Sequence, residues 1–223
     1  MICMRSNPKR ILMRWLVLSM LAVLVSPALA KDKVYLLNLD LTLAEIARPL
    51  TEPKLIRRFG ARNVTSADVA VGEGESEKGT ILFGENPEKR IFILWHNNQA
   101  KVSPKSICIR DPNSLWHLPN GISIGTSLKK LERLNSGPFK MSGFDWDYAG
   151  TILDWHGGRL RSMNSKEFGI RIIIRLDAYA GDRSSKLTRA EESSILGDRD
   201  LISSIAALQK LDPTVYEICV AND

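Results

Sequence analysis

Histidine and cysteine are both scarce, with three of each in 223 residues. Cys3 lies ahead of the N-terminal apolar run, so Cys108 and Cys219 are the thiols left to the folded part. No Cys-x-x-Cys pair, His-Glu-x-x-His sequence or Gly-rich phosphate loop occurs. These absences remove a thioredoxin-type redox centre, a zinc-protease signature and a P-loop nucleotide site. A large surplus of one charge is missing as well, although the net charge of +6 first suggests otherwise.

That surplus sits mostly in a leader. Lys9, Arg10 and Arg14 precede the apolar run WLVLSMLAVLV, which is too short for a spanning helix. SPALA then places small residues at Ala28 and Ala30, the pattern signal peptidase cleaves. Residues 1–30 therefore read as a signal peptide cut after Ala30. Cys3 precedes the run, so it is not a lipid-attachment cysteine. Removing Arg5, Lys9, Arg10 and Arg14 takes 31 basic residues to 27 against 25 acidic ones, a net of +2. The mature charge offers no footprint for nucleic acid, and the chain is expected to carry no stable membrane span after cleavage. A periplasmic or secreted location follows, and in that setting Cys108 and Cys219 are expected to form a disulfide.

The remainder predicts an α+β fold made of two diverged repeats, 31–118 and 119–223, each a short helix followed by antiparallel strands. The tetrapeptide GTIL recurs at 79–82 and 150–153. Upstream of the first copy, TEPKLIRRFG (51–60) has Thr51 as N-cap, Pro53 in the first turn, Leu55, Ile56 and Phe59 as the apolar stripe, and Gly60 as a stop. Upstream of the second, 125–138 has Ser127 or Thr126 as cap, Leu128, Leu131 and Leu134 as the stripe, and Gly137-Pro138 as the end. Strands are expected at DVAVG, TILFG, RIFILWH and SICIR, then at FKMSGFDWDY, TILDWH, RLRSM and GIRIIIRLD. A helix capped by Asp198 over about 198–210 and a closing strand, VYEICVA, complete the chain.

These helix motifs resemble those of SmpA/OmlA-type outer-membrane assembly lipoproteins and of β-lactamase-inhibitor-like proteins. Gly125, Ser127, Leu131, Leu134 and Pro138 match in step, while Gly137 falls one place late and Asn135 stands where the pattern has Leu. In the first copy Thr51, Leu55, Phe59 and Gly60 match, and Pro49 replaces the leading Gly. The overall look is similar to that of bacterial exported proteins. The resemblance implies a tandem helix-plus-sheet architecture, and the missing lipid-attachment cysteine argues against the assembly-lipoprotein role.

All three histidines follow a tryptophan: Trp95-His96, Trp116-His117 and Trp155-His156. Each pair is expected at a strand end before a turn, with the Trp packed and the His solvated. The segment 143–156 carries the densest chemistry. A turn at Tyr148-Ala149 with regular pairing on either side would put Phe144, Trp146, Leu153 and Trp155 on one face. Asp145, Asp147, Asp154 and His156 would share the other, a set suited to a divalent cation. Glu73, Glu75 and Glu77 read as a solvated hairpin tip.

The leading expectation is an exported binding or inhibitory module that acts on an envelope or extracellular protein, without a cofactor, through Trp95, Trp116, Tyr148 and His156. The alternative is a metal-binding protein or metal-dependent hydrolase using the Asp145/Asp147/Asp154/His156 face. The reading leans away from an enzyme. The leader yields the first prediction: intact-mass measurement of the protein recovered from its cells should give a chain beginning at Lys31, and a mass that retains residues 1–30 would refute cleavage.

Overall fold

The computed structural model describes residues 50–163, 170–179 and 186–222. The expected signal peptide lies outside them. The fold is α+β, with two antiparallel sheets and four α-helices among the described residues. Among the described residues no helix is long and apolar enough to cross a membrane.

Helix α1 (Glu52–Phe59) starts where the Thr51 hydroxyl accepts the Lys54 amide and stops at Gly60, as the sequence predicts. Four strands follow: β1 (Val64–Gly72), β2 (Glu75–Leu82), β3 (Ile91–Asn97) and β4 (Val102–Ile109). Gly72 pairs with Glu75 across a two-residue turn in which Glu73 and Gly74 both have positive φ, the hand that suits a tight hairpin. The acidic stretch is therefore mostly strand; only Glu73 and Gly74 form the tip.

Helix α2 (Leu128–Asn135) is capped by Ser127, as expected. Strands β5 (Lys140–Ser142) and β6 (Ile152–Asp154) follow it, then β7 (Ile170–Asp177). Helix α3 (Arg189–Ile195), strand β8 (Asp200–Ile202), helix α4 (Ala206–Leu211) and strand β9 (Thr214–Asn222) close the chain.

The large sheet has the order β1-β2-β3-β4-β9-β7 and the small one β6-β5-β8. The last strand thus enters the large sheet between strands from mid-chain. Cys108 on β4 and Cys219 on β9 face each other in register, 4.1 Å apart at Cα, and form the expected disulfide. One hydrophobic cluster joins Leu55, Ile93 and Trp95 to Leu131, Leu208 and Ile218. Both the sheet and this cluster run across the 118/119 boundary.

Several expectations need correction. RLRSM is a 3-10 helix, Arg159–Met163, not a strand. Leu160 and Met163 are its buried residues, and their spacing of three matches a 3.0-residue turn. The stretch read as one helix from 198 is β8, a turn and then α4, broken at Ser203-Ser204. Helix α3 was missed, although Thr188 and Glu191 spell a capping box in which each side chain binds the other's backbone N–H. Lys210 and the Thr188 amide and hydroxyl hold the Glu191 carboxyl down to about 2, against an ordinary 4.5.

The two GTIL segments also differ in their surroundings. Gly79 lies inside β2, in the large sheet, whereas Gly150 precedes β6 of the small one, with φ 64° and the Leu176 carbonyl against it. After α1 the chain makes four strands of one sheet; after α2 it divides between two sheets. The same four letters serve different backbones.

Asn135, where the resemblance expected Leu, explains the turn after α2. Its side chain is fully buried. Nδ2 donates to the carbonyls of Trp155 (2.9 Å), Gly137 (3.1 Å) and Pro138 (3.4 Å), and Oδ1 accepts the Leu160 amide at 3.1 Å. Any Cβ at Gly158 would collide with it. Asn135→Leu leaves buried backbone groups without partners, so it should lower stability by about 2–4 kcal/mol. Chemical denaturation checks this, and a neutral result would remove Asn135 as the fastener.

Candidate functional site on the open face of the large sheet

Alternation sorts the side chains of the large sheet between two environments. Ile93, Trp95, Ile109, Ile174 and Ile218 enter the core shared with the helices and the small sheet. Phe92, Leu94, Cys108, Ile173, Cys219 and Ala221 point the other way. No helix among the described residues covers that second face.

A hairpin arm partly roofs it. Strands β1 and β2 pair over their whole length, but β2 pairs with β3 only at Thr80–Leu82. Beyond Gly79 the hairpin leaves the sheet and curls over the open face. Arg110, just past the end of β4, reaches the Ala70 carbonyl on β1 at 3.3 and 3.4 Å, and Lys105 reaches Glu77 at 3.0 Å. Gly79 is the bend. A Cβ there would stand 2.5 Å from the Ile93 carbonyl oxygen and 2.8 Å from Val69 Cγ2. Between arm and sheet lies a cleft of about 840 Å³.

Bulges set the chemistry of its walls. On β9, Glu217 pairs with Arg175 and Val215 with Leu176, so Tyr216 is the extra residue. On β4, Ser106 pairs with Leu94 and Pro104 with Trp95, so Lys105 is extra. A bulge turns two neighbouring side chains toward one face. Tyr216 thus joins Glu217, and Lys105 joins Ser106, in lining the cleft.

At the centre, Glu217 lies between two arginines, 3.7 Å from Arg110 Nε and 3.4 Å from Arg175 Nη1. These are ion pairs at distances longer than a good hydrogen bond. Arg110 also stacks over Phe92, 4.4 Å from the ring centre, and Arg175 stands 5.9 Å from the Tyr148 ring. The Nε atoms of both arginines are buried without a hydrogen-bond partner. Burial pushes the Tyr216 phenol above its ordinary value; the neighbouring Glu217 adds to this, and Arg175 opposes it.

The residues expected to meet a partner separate. Trp95 is 2% exposed, and its indole N–H donates to the buried Thr80 hydroxyl at 2.9 Å. That hydroxyl donates in turn to Glu52, which Lys101 also binds. Trp95 is therefore a core residue and leaves the contact set. Trp116 is half-buried and donates to the Lys89 carbonyl. His156 is exposed in a turn away from the cleft. Tyr148 alone of the four borders the cleft, and it is 52% exposed. Trp155 is buried and packs edge-to-face on Phe139, as the packing expectation for the Trp-His pairs requires.

The metal face does not assemble. Asp145, Asp147, Asp154 and His156 are all exposed, and no three of them bring ligand atoms within 4.8 Å of one another. Regular pairing fails at Leu153, the bulged residue of β6, so Leu153 and Asp154 are both exposed instead of alternating. Asp154 spends its carboxylate on the His156 amide at 2.6 Å. Among the described residues the one group of three within that distance is Cys108, Cys219 and Glu217, and the disulfide removes its thiolates as ligands.

Gly121, Ser123 and Gly125 carry the Gly-x-Ser-x-Gly spacing of a nucleophile elbow, a signal for acyl transfer that inspection of histidine and cysteine misses. Ser123 sits opposite His117 in an isolated β-bridge. Yet the Ser123 hydroxyl lies against Thr126 Oγ1, His117 Nδ1 against the Leu118 carbonyl, and no hydrogen bond joins the two side chains. Ser123 also lacks the strained backbone of an elbow.

The arm makes a second test possible. Gly79→Ala should cost about 1–3 kcal/mol, because the methyl must displace either the β3 backbone or Val69. Denaturation measures the cost, and faster hydrogen exchange at Thr80–Leu82 should accompany it. Unchanged stability and exchange would mean that the bend does not depend on glycine.

No protein-family model, curated protein or solved structure matches this chain.

Proposed function

We propose that this chain is an exported binding module that holds an extended segment of a protein partner between the β1–β2 arm and the open face of the large sheet. The observation that carries this reading is the cleft itself. Its floor is apolar and only partly roofed, its walls are charged, and the arm crosses it from one side. An extended segment matches the shape, because its side chains can drop alternately toward the floor and the arm. Arg110, Arg175, Tyr148 and Tyr216 belong to the residue types that dominate protein recognition sites.

The compartment fits the same reading. A buried disulfide that closes a 111-residue separation persists outside the reducing cytosol, in the periplasm or after secretion. Binding of this kind becomes inhibitory when the captured segment belongs to a functional loop of the partner, which is how the resemblance to β-lactamase-inhibitor-like proteins would apply.

Site-specific photo-crosslinking in the producing cells tests the proposal. p-Benzoylphenylalanine at Tyr148 should yield a discrete adduct with one protein, and the same probe at Ile56, exposed on α1 outside the cleft, should not. No adduct from Tyr148, or the same adduct from both sites, would sink the reading.

A further inference from the structure

The pairing of charges in the cleft is unequal. Two guanidinium groups, Arg110 and Arg175, share one carboxylate, Glu217, so a positive charge is left over where the two strands meet. Neither pairing is closed into a hydrogen bond. Both distances are long, and both Nε atoms stay buried without a hydrogen-bond partner. Buried donors of this kind normally find acceptors. Paired guanidinium planes match the two oxygens of a carboxylate.

Deepening the binding-module reading, on which it rests, we propose that Arg110 and Arg175 receive a single carboxylate, the C-terminal carboxylate of the segment that the cleft holds. A monoanion fits better than a phosphate. Within the Arg110, Arg175 and Glu217 trio the surplus is one positive charge, which one negative charge balances, and Glu73, Glu75 and Asp147 around the cleft, offset in part by Arg171, repel a dianion more than a monoanion. Glu77 adds little to that repulsion, because Lys105 pairs with it. Phe92, Leu94 and the disulfide lie along the floor beside the arginines, so the residues before the carboxylate are apolar. In this arrangement the ligand oxygens take the remaining Nη hydrogens, since Arg110 Nη1 and Nη2 also hold the Ala70 carbonyl and Arg175 Nη1 also faces Glu217, and Glu217 closes the remaining gap to Arg110 Nε.

The test uses 15N-labelled mature protein and two probes, N-acetyl-Phe-Leu with a free C-terminal carboxylate and the same dipeptide as its C-terminal amide. The carboxylate should bind at least tenfold more tightly, and it should shift the Nε–Hε resonances of Arg110 and Arg175 downfield. Arg175→Gln should abolish that tenfold preference, and Arg175→Lys should keep only part of it, since the ammonium holds the charge without the planar fork. The wild-type comparison stands on its own if a variant folds poorly.

Equal affinity for carboxylate and amide would overturn the carboxylate receptor while leaving a peptide-binding cleft. Binding that leaves both Nε–Hε signals unmoved, or no binding of either probe at millimolar concentration, would also overturn it. Carboxylate binding with no Tyr148 crosslink in cells would keep the receptor and remove the protein partner.

Discussion

The pairing of β9 with β4 is the contact on which the rest of the structure depends. These strands come from the end and the middle of the chain, and Cys108 and Cys219 bond across them in register. Bringing such distant segments together costs loop-closure entropy that no local contact recovers. The disulfide removes much of that cost from the unfolded chain, about 4–5 kcal/mol on the chain-entropy account. With β9 in place, β7 gains a partner, and the core acquires Val215, Ile218 and Val220. Without it the large sheet would be a four-stranded meander with an exposed edge.

The same pairing builds the cleft. Arg110 at the end of β4, Glu217 on β9 and Arg175 on β7 meet only because those three strands are adjacent. The disulfide forms part of the floor beneath them. Stability and the chemistry of the cleft are therefore coupled on this face. The core face is mostly apolar, whereas the open face carries an ion-pair cluster of Arg110 and Arg175 around Glu217. Two bulges, at Lys105 and Tyr216, enrich that face further by turning an additional polar side chain toward the cleft.

The small sheet and the loops around it have a different role. Asn135 ties the end of α2 to the segments at 137–138, 155 and 160, and the Thr188–Glu191 capping box starts α3 beside α4. These polar fasteners do what regular pairing cannot over strands of three residues. Other bonds hold Gly143–Thr151, and with it Tyr148, at the rim of the cleft: the Ser142 and Thr151 hydroxyls donate to the Tyr148 carbonyl, and the Gly150 carbonyl accepts the Leu176 amide. Trp155 and Phe139 supply the apolar packing beneath.

Local rules made much of the chain readable from its residues. Thr51 and Ser127 cap helices where their spacing predicts, because a hydroxyl before an apolar stripe satisfies backbone N–H groups whatever the tertiary setting. Strands β1 to β4, β7 and β9 follow from alternation bounded by turn residues, and the even pair of cysteines beyond the N-terminal apolar run forms the bond expected of it. Where bulges interrupt alternation, residue order misleads. The expected Asp145/Asp147/Asp154/His156 face dissolves because 143–151 turns instead of continuing β5 and because β6 bulges at Leu153, and the expected strand at 159–163 turns as a 3-10 helix because Leu160 and Met163 both seek the core. Strand order is a global matter: nothing local in VYEICVA specifies insertion between β4 and β7. The cleft therefore could not be read from the residues in order, because Arg110, Glu217 and Arg175 become neighbours only through pairings between strands far apart in the chain.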